Sequence, residues 1–196
     1  MTDACGSGRL ARPWLVAAFA MLALAANVRT EEAAPPEPDT YRLDNYRAPT
    51  PETLKGARTV TTAEAAELWQ NKAAVFVDVM PRPPKPANLP AGTIWRDKPR
   101  SNIPGSAWLP DTGYGALAPV TETYFKTSLA LLTGGDLAKP LVIYCQRDCW
   151  MSWNAARRAV ALGYRNVIWF PDGTDGWEVM NLPFAAGEPF RKANSE

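Results

Sequence analysis

The sequence predicts an α/β fold in which helices flank a central, mostly parallel sheet within a single domain. Three short apolar runs, at residues 74–79, 141–144 and 166–170, have the composition of strands buried on both faces. Segments with helical character separate them, and several of these end at glycine. Strands and helices that alternate at this spacing are typical of a parallel sheet with right-handed crossovers.

The folded unit is predicted to begin near Val60. Thr61 and Glu64 form a capping-box pattern that opens a helix reaching Trp69. After the first strand, residues 81–99 contain six prolines and are predicted to form a loop insertion. The later predicted elements are a turn and short strand at 101–110, a helix at 121–132 stopped by Gly134 and Gly135, a helix at 152–162 ended by Gly163, and a Gly-rich turn at 173–177.

Both ends of the chain are predicted to lie outside this domain. Arg9 and Arg12 precede an apolar run that ends in small residues, the pattern of a secretory signal peptide, with an uncleaved anchor as the alternative. A leader rich in Glu, Pro, Thr and Arg follows, which Tyr41, Leu43 and Tyr46 could hold against the domain. The predicted boundaries are 1–26 for the signal peptide, 27–58 for the extended leader, 59–186 for the domain and 187–196 for a C-terminal tail.

Charge excludes two classes of partner. Without residues 1–25 the chain loses Arg9, Arg12 and Asp3, which leaves 19 basic and 19 acidic side chains. A mature chain so close to neutrality has no electrostatic footprint for nucleic acid or for an anionic membrane surface. Because of the N-terminal pattern, we expect a protein that is exported to the periplasm. Because of its near-neutral charge, we expect no nucleic-acid partner and no membrane association once the signal is cleaved.

Cysteine and histidine content limits the chemistry further. Cleavage removes Cys5 and leaves Cys145 and Cys149, an even pair that is a candidate disulfide in an oxidising compartment. The two α-carbons in so short a loop can approach within about 6 Å, so the bond is feasible. The chain contains no histidine, which excludes a His-based catalytic triad, a Cys-x-x-Cys-His haem attachment and any His-containing zinc site.

Cys145 is the candidate reactive group. It directly follows the predicted strand 141–144, and parallel sheets place their ligand sites beyond the carboxyl ends of the strands. Loop amides that lead into a helix N-terminus, with the helix dipole, favour an anion there, so we expect the pKa of the thiol to be lowered. A thiolate is nucleophilic without help from histidine, and Arg147 would add to the effect if its side chain turned inward.

Several landmarks in order resemble those of a rhodanese domain over about residues 60–184. They are Val77-Asp78-Val79, residues 102–107, residues 142–145, Ala155-Ala156, residues 163–167 and residues 173–177. The run from Cys145 to Trp150, Cys-x-x-x-Cys-Trp, is similar to a bacterial group within that superfamily, the PQQ-dependent catabolism-associated CXXCW-motif proteins. That resemblance implies an exported protein whose context is quinoprotein alcohol oxidation.

The candidate site departs from the rhodanese pattern. Where active loops of that family carry a glycine and a late arginine, this chain has Asp148 and Met151, and the loop is about one residue longer. Loss of the arginine removes a cation for an anionic substrate such as thiosulfate, and Asp148 adds an opposing charge. A second thiol in the loop indicates instead disulfide or persulfide chemistry, in which Cys149 resolves what Cys145 forms. The residues expected to form an anion-binding loop around Cys145 are Gln146, Arg147, Asp148, Trp150, Met151 and Ser152.

Two other interpretations remain open at this stage. A non-enzymatic carrier could bind a soft metal such as Cu(I), or a redox cofactor, through the thiolates of Cys145 and Cys149, with Met151 and Met80 as further soft ligands. An inactive scaffold could use the same pair only as a structural disulfide. No cofactor is firmly implied beyond a persulfide on Cys145 or Cu(I), and the expected partners are a small sulfur or thiol substrate or a periplasmic quinoprotein-pathway protein.

Other side chains near the loop have ordinary structural interpretations. Asp78 ends a strand and is expected to support the neighbouring loop by accepting hydrogen bonds, since an unpaired buried carboxylate would be costly. Arg157 and Arg158 are expected on a solvated helix face. Four tryptophans could form a wall for a flat ligand or could simply be buried, namely Trp95, Trp108, Trp150 and Trp153.

Overall fold

A computed structural model describes residues 34–96 and 98–191 of the chain. The predicted signal peptide, the first part of the leader and the last residues of the tail lie outside the described residues. The strands are β1 (Arg58–Thr59), β2 (Val75–Asp78), β3 (Arg100–Asn102), β4 (Ala107–Trp108), β5 (Leu141–Tyr144), β6 (Val167–Phe170) and β7 (Ala185–Gly187). The helices are α1 (Thr62–Gln70), α2 (Pro119–Thr133), α3 (Trp150–Ala161) and α4 (Gly173–Val179).

A parallel five-stranded sheet forms the centre of the domain, in the order β1-β6-β5-β2-β4. The register pairs Val77 of β2 with Ile143 of β5, and Ile143 with Trp169 of β6. Every residue of β5 and β6 is buried, because helices cover both faces of the sheet. The predicted fold class, an α/β domain with a mostly parallel sheet, is confirmed.

Alternation along β5 divides the core into two layers. Leu141 and Ile143 pack with α2 and α3 on one face, whereas Val142 and Tyr144 pack with α1 and α4 on the other. Both clusters are apolar and buried. The strand end that follows Tyr144 is therefore held from both sides, which fixes the position of the next residue, Cys145.

The domain also contains a second, smaller sheet. It contains two antiparallel strands, β3 and β7, with Ser101 paired to Ala186. For residues 101–110 the sequence predicted a turn and a short strand, which β4 fits, whereas β3 and its pairing with β7 were not predicted. The Pro-rich insertion leads into β3, and its described residues contain no strand or helix before Arg100.

Three predictions about local structure were wrong. Residues 173–177 form the first part of α4 and not a Gly-rich turn, because Trp177 is completely buried and its packing overrides the poor helix propensity of glycine. Helix α3 begins at Trp150 and not at Ser152. Arg158 is buried and Arg157 half-buried, so neither lies on a solvated face.

Within the described part of the chain, no helix is long and apolar enough to cross a membrane.

Candidate functional site

Cys145 is the first residue after β5 and its side chain is completely buried. Its carbonyl accepts hydrogen bonds from the backbone N–H and the hydroxyl of Thr174, at 3.1 and 3.2 Å. Gly173 makes this close approach possible, since it has a φ of +48° and an added Cβ would lie 2.6 Å from the Cys145 oxygen. Helix α4 therefore fixes the backbone of the candidate nucleophile.

A disulfide joins Cys145 to Cys149, with the two α-carbons 6.4 Å apart. Cys149 is the N-cap residue of α3 and is 3% exposed. The Sδ atom of Met80, two residues beyond the end of β2, lies 3.5 Å from the Cys145 sulfur. Three sulfur atoms thus come together where the parallel strands end.

The loop between the two cysteines is attached to the start of α4. Gln146 forms an isolated antiparallel bridge with Gly173. The Arg147 side chain bonds the carboxylate of Asp172 at 3.0 Å, so its charge is paired there. Asp148 is exposed and has a left-handed backbone with a φ of +52°.

Donor groups of two residues at the start of α3 are bonded within the protein. The Trp150 N–H donates to the carbonyl of Tyr46 at 2.9 Å. Both the N–H and the hydroxyl of Ser152 donate to the carbonyl of Cys149, and the hydroxyl accepts from the Trp169 indole at 3.1 Å. Met151 is buried, with 4% of its surface exposed. These groups of the expected anion-binding loop are engaged within the protein.

Asp78 supports the neighbouring loop from the end of β2. One carboxylate oxygen accepts from the Met80 N–H at 2.9 Å, and the other accepts from the Arg100 guanidinium at 2.8 Å. Burial raises the pKa of Asp78, and Arg100 opposes that effect. The carboxylate positions Met80, whose carbonyl also accepts from the Trp108 indole at 2.7 Å.

A family model described as Rhodanese-like domain matches residues 61–179, more than half of the chain. The chain belongs to the rhodanese-like domain family. In this rhodanese-like chain, Cys145 and Cys149 both lie inside the matched range. No curated protein matches the chain.

Solved structures similar to this rhodanese-like chain share little sequence with it. A protein from Lactobacillus plantarum is 19% identical over 64% of this chain and 86% of its own, with a TM-score of 0.42. The polysulfide-sulfur transferase homodimer from Wolinella succinogenes is 18% identical over 66% and 79%, with a TM-score of 0.42. Wild-type EanB is 22% identical over 72% of this chain and only 34% of its own, with a TM-score of 0.44.

A segment before the rhodanese-like domain crosses the start of α3. We call residues 41–50 the strap. Arg47 of the strap forms an antiparallel bridge with Cys149, and its guanidinium donates to the carbonyl of Arg147. The side-chain amide of Asn154 bonds both the N–H and the carbonyl of Arg42, each at 2.9 Å. The strap therefore lies against the loop that carries the cysteines.

The leader side chains proposed from sequence behave differently from one another. The Tyr46 ring packs against Tyr114, and Tyr41 lies under the guanidinium of Arg158 at 4.6 Å. Leu43 is 66% exposed, but its Cδ2 atom lies beside Gly115, 2.8 Å from where an added Cβ of that glycine would be. All three leader side chains therefore lie near the domain, and the two aromatic rings lie beside a tyrosine and an arginine.

The tryptophans near the cysteines form no open wall. Trp108, Trp150 and Trp153 are each at most 4% exposed. The indoles of Trp150 and Trp153 donate to the carbonyls of Pro49 and Thr53, so they attach the leader to α3. The interpretation as ordinary buried residues is the one the structure favours.

The buried hydrogen bonds of Asn154 and Arg158 were not predicted from the sequence. The Arg158 guanidinium donates to the carbonyls of Thr112, Tyr114 and Gly115, which lie more than 40 residues earlier in the chain. A local sequence pattern cannot predict hydrogen bonds to carbonyls so far away in the chain. A polar residue in an Ala-rich buried helix is nevertheless a signal, since such a residue needs partners.

Among residues 34–96 and 98–191, no group of three or more Cys, Asp and Glu side chains could hold a metal ion. The groups near Cys145 that could hold a soft metal are the sulfur atoms of Cys145, Cys149 and Met80, once the disulfide is reduced.

Proposed function

We propose that this protein is an exported rhodanese-like thiol protein that carries out thiol–disulfide or persulfide chemistry through Cys145 and Cys149. The observation that supports it most directly is the pairing of these two cysteines at the carboxyl end of β5, beside Met80. Cys145 is the nucleophile and Cys149 the resolving thiol. Parallel α/β folds place reactive groups at this end of the sheet.

The cycle balances with an external thiol as the reductant. In the reduced protein, the Cys145 thiolate attacks the outer sulfur of a low-molecular-weight persulfide, RSSH, so that the thiol RSH leaves and Cys145 becomes a persulfide. Cys149 then attacks the Cys145 sulfur and expels hydrogen sulfide, which forms the Cys145–Cys149 disulfide. Two equivalents of an external thiol, or one dithiol, reduce this disulfide and become oxidised in turn.

Charges around the loop favour a neutral or thiol substrate over thiosulfate. Arg147 is paired with Asp172, and Asp148 lies exposed in the loop. The N–H of Trp150 is already bonded to the strap. An anion would therefore meet no free arginine in the loop and one opposing carboxylate.

The setting that we propose is periplasmic PQQ-dependent alcohol oxidation, with a quinoprotein-pathway protein as partner. This part of the proposal depends on the resemblance of the Cys145–Trp150 run to the CXXCW-motif group and on the N-terminal pattern of residues 1–26. Export also suits the chemistry, since disulfides persist in an oxidising compartment.

Trapping of the covalent intermediate tests this function. Reduced Cys149→Ser is incubated with the neutral probe bis(2-hydroxyethyl) disulfide or with a low-molecular-weight persulfide, and peptide mass mapping locates the adduct, which also separates Cys145 from Cys5. We expect an adduct on Cys145 that persists in Cys149→Ser, whereas the wild-type protein resolves it to the intramolecular disulfide. The matched variant Cys145→Ser is expected to form at least tenfold less adduct on Cys149. Absence of any adduct on Cys145 in the folded variant would refute the proposal and leave a structural disulfide or the metal carrier described next.

A second candidate function, transport of Cu(I), is favoured by the position of Met80. Its Sδ atom is 3.5 Å from the Cys145 sulfur, so reduction would leave two thiolates and one thioether close together. Soft sulfur ligands of this kind select Cu(I). Titration of the reduced protein with Cu(I) against a competing chelator is expected to give one-to-one binding that weakens in Met80→Leu and is lost in Cys149→Ser. Unchanged affinity in both variants would exclude this carrier.

A further inference from the structure

We infer that the surface under the strap is a binding groove for an extended segment of a partner protein, and that the strap is its intramolecular occupant. The groove is formed by Arg147, Cys149, Trp150, Asn154 and Tyr114. The inference deepens the proposed function, on which it rests, because it identifies the substrate of the thiol pair as a polypeptide.

Four hydrogen bonds between strap and groove involve backbone groups of the strap, and its side chains make further contacts. Arg47 bridges Cys149 in antiparallel fashion, and the Trp150 N–H donates to the Tyr46 carbonyl at 2.9 Å. The Asn154 amide bonds both backbone groups of Arg42, each at 2.9 Å. Any extended segment presents the same N–H and carbonyl groups, and this is how strand addition recognises a peptide.

Side-chain contacts indicate which segment would fit. The Arg42 guanidinium lies 5.2 Å from the centre of the Trp150 ring, and the Arg47 guanidinium donates to the Arg147 carbonyl. Between these cations, the Tyr46 ring meets Tyr114 edge-on at 5.4 Å. The groove therefore suits an extended segment in which basic residues flank an aromatic one.

The strap is less buried than the core that it covers, although Tyr46 and Ala48 pack against core residues. No residue of the strap is fully buried, whereas Leu54, a few residues later, is only 2% exposed. Segments with few buried apolar contacts open at a lower free energy than the core does. Release of the strap would free the backbone of Cys149, a residue that is 3% exposed while the strap is bound.

Arg42→Pro loosens the strap and leaves the groove intact. Proline lacks the N–H that bonds Asn154, whereas the matched variant Arg42→Ala keeps it and loses only the side chain. A fluorescent peptide with the sequence of residues 41–50 is added to each full-length protein, and binding is followed by anisotropy. We expect at least tenfold tighter binding to Arg42→Pro than to wild type, with Arg42→Ala between them, because the intramolecular occupant lowers the apparent affinity. A scrambled peptide is expected not to bind.

Two further variants keep the test decisive. Tyr46→Ala loosens the strap through its aromatic contact and replaces Arg42→Pro if that variant does not fold. Asn154→Asp, placed in the loosened background, removes the donor to the peptide carbonyl and is expected to weaken peptide binding at least tenfold. Failure of the peptide to bind a folded, loosened variant, or equal binding with and without the Asn154 amide, would overturn the inference.

Anisotropy measures peptide binding, whereas adduct mapping measures the reactivity of Cys145. The groove and the thiol function can therefore be refuted independently. Peptide binding without any adduct on Cys145 would refute the thiol function and leave a peptide-binding groove. An adduct on Cys145 together with no peptide binding would refute the groove and leave the reaction with small thiols.

Discussion

At Gly173 the chain passes so close to the Cys145 carbonyl that no side chain fits between them. The φ of +48° alone disfavours other residues, and an added Cβ would lie 2.6 Å from the Cys145 oxygen. We expect Gly173→Ala to lower the free energy of unfolding by the cost of a left-handed alanine, about 1–2 kcal/mol, and by a further amount of about 1–3 kcal/mol for the collision. Urea denaturation measures both terms together.

Gly134→Ala separates the two terms. Gly134 also has a positive φ, +67°, but an added Cβ there would have no neighbour within 4 Å. This control is expected to show only the left-handed cost. If both variants lost the same stability, the close packing of Gly173 on Cys145 would be disproved.

Tyr144 makes the domain sensitive to alkaline pH. Burial raises its pKa well above the ordinary value of 10.0, while its hydroxyl accepts from Ile103 and donates to Ser106. Because the unfolded chain ionises near that ordinary value and the folded chain does not, its contribution to stability is complete below about pH 10 and is lost as pH rises toward the folded pKa.

Tyr144→Phe tests this contribution. The variant loses two hydrogen bonds, about 1 kcal/mol each, at every pH. Its unfolding free energy is nevertheless expected to fall less steeply between pH 9 and 11. Denaturation series of both proteins across that interval give the comparison. Parallel curves would show that Tyr144 does not contribute to the alkaline decline.

At the scale of elements, α3 is held by an arginine on its inner face. Arg158 is 6% exposed and donates to three backbone carbonyls in the segment before α2. Arg158→Ala is expected to lower the free energy of unfolding by about 3 kcal/mol, because buried carbonyls lose their donors. Arg165→Ala, an exposed arginine just after the same helix, is the control and is expected to change it by under about 0.5 kcal/mol. Equal effects would mean that the Arg158 contacts contribute little.

Elements defined by local patterns were the ones predictable from sequence. Helix α1 begins with Thr61 and Glu64 in a capping box, as predicted, because its partners are three residues apart. Strand β5 was predictable because it is apolar throughout. Helix α4 was mistaken for a turn, since what stabilises it is the burial of Trp177 against distant residues, including Trp69.

The location of the candidate site in the chain could be predicted from the sequence, but the residues that surround it could not. The end of β5 identified Cys145, and the short spacing to Cys149 indicated a feasible disulfide. The strap could not be predicted, because Arg42 and Asn154 are 112 residues apart and pair through a single side-chain amide. Likewise, no local pattern places Asp172 beside Arg147.

At the scale of the whole molecule, the parallel sheet brings residues from distant parts of the chain to one edge. Met80 follows β2, Cys145 follows β5 and Gly173 follows β6, and all three lie where these strands end. The strap adds a part of the chain that precedes the family domain. Fold and strap together enclose the disulfide, since Cys145 is completely buried and Cys149 is 3% exposed.

Reversible opening of the Cys145–Cys149 disulfide in the folded chain is the central claim. Equilibration in glutathione buffers of graded potential, with alkylation of thiols, mass mapping and near-ultraviolet circular dichroism, tests it most directly. We predict half-reduction at a potential above about −300 mV with the fold retained, since exchange-active disulfides lie above that value and so short a loop constrains few unfolded conformations. A disulfide that stays closed until the protein unfolds would contradict the claim.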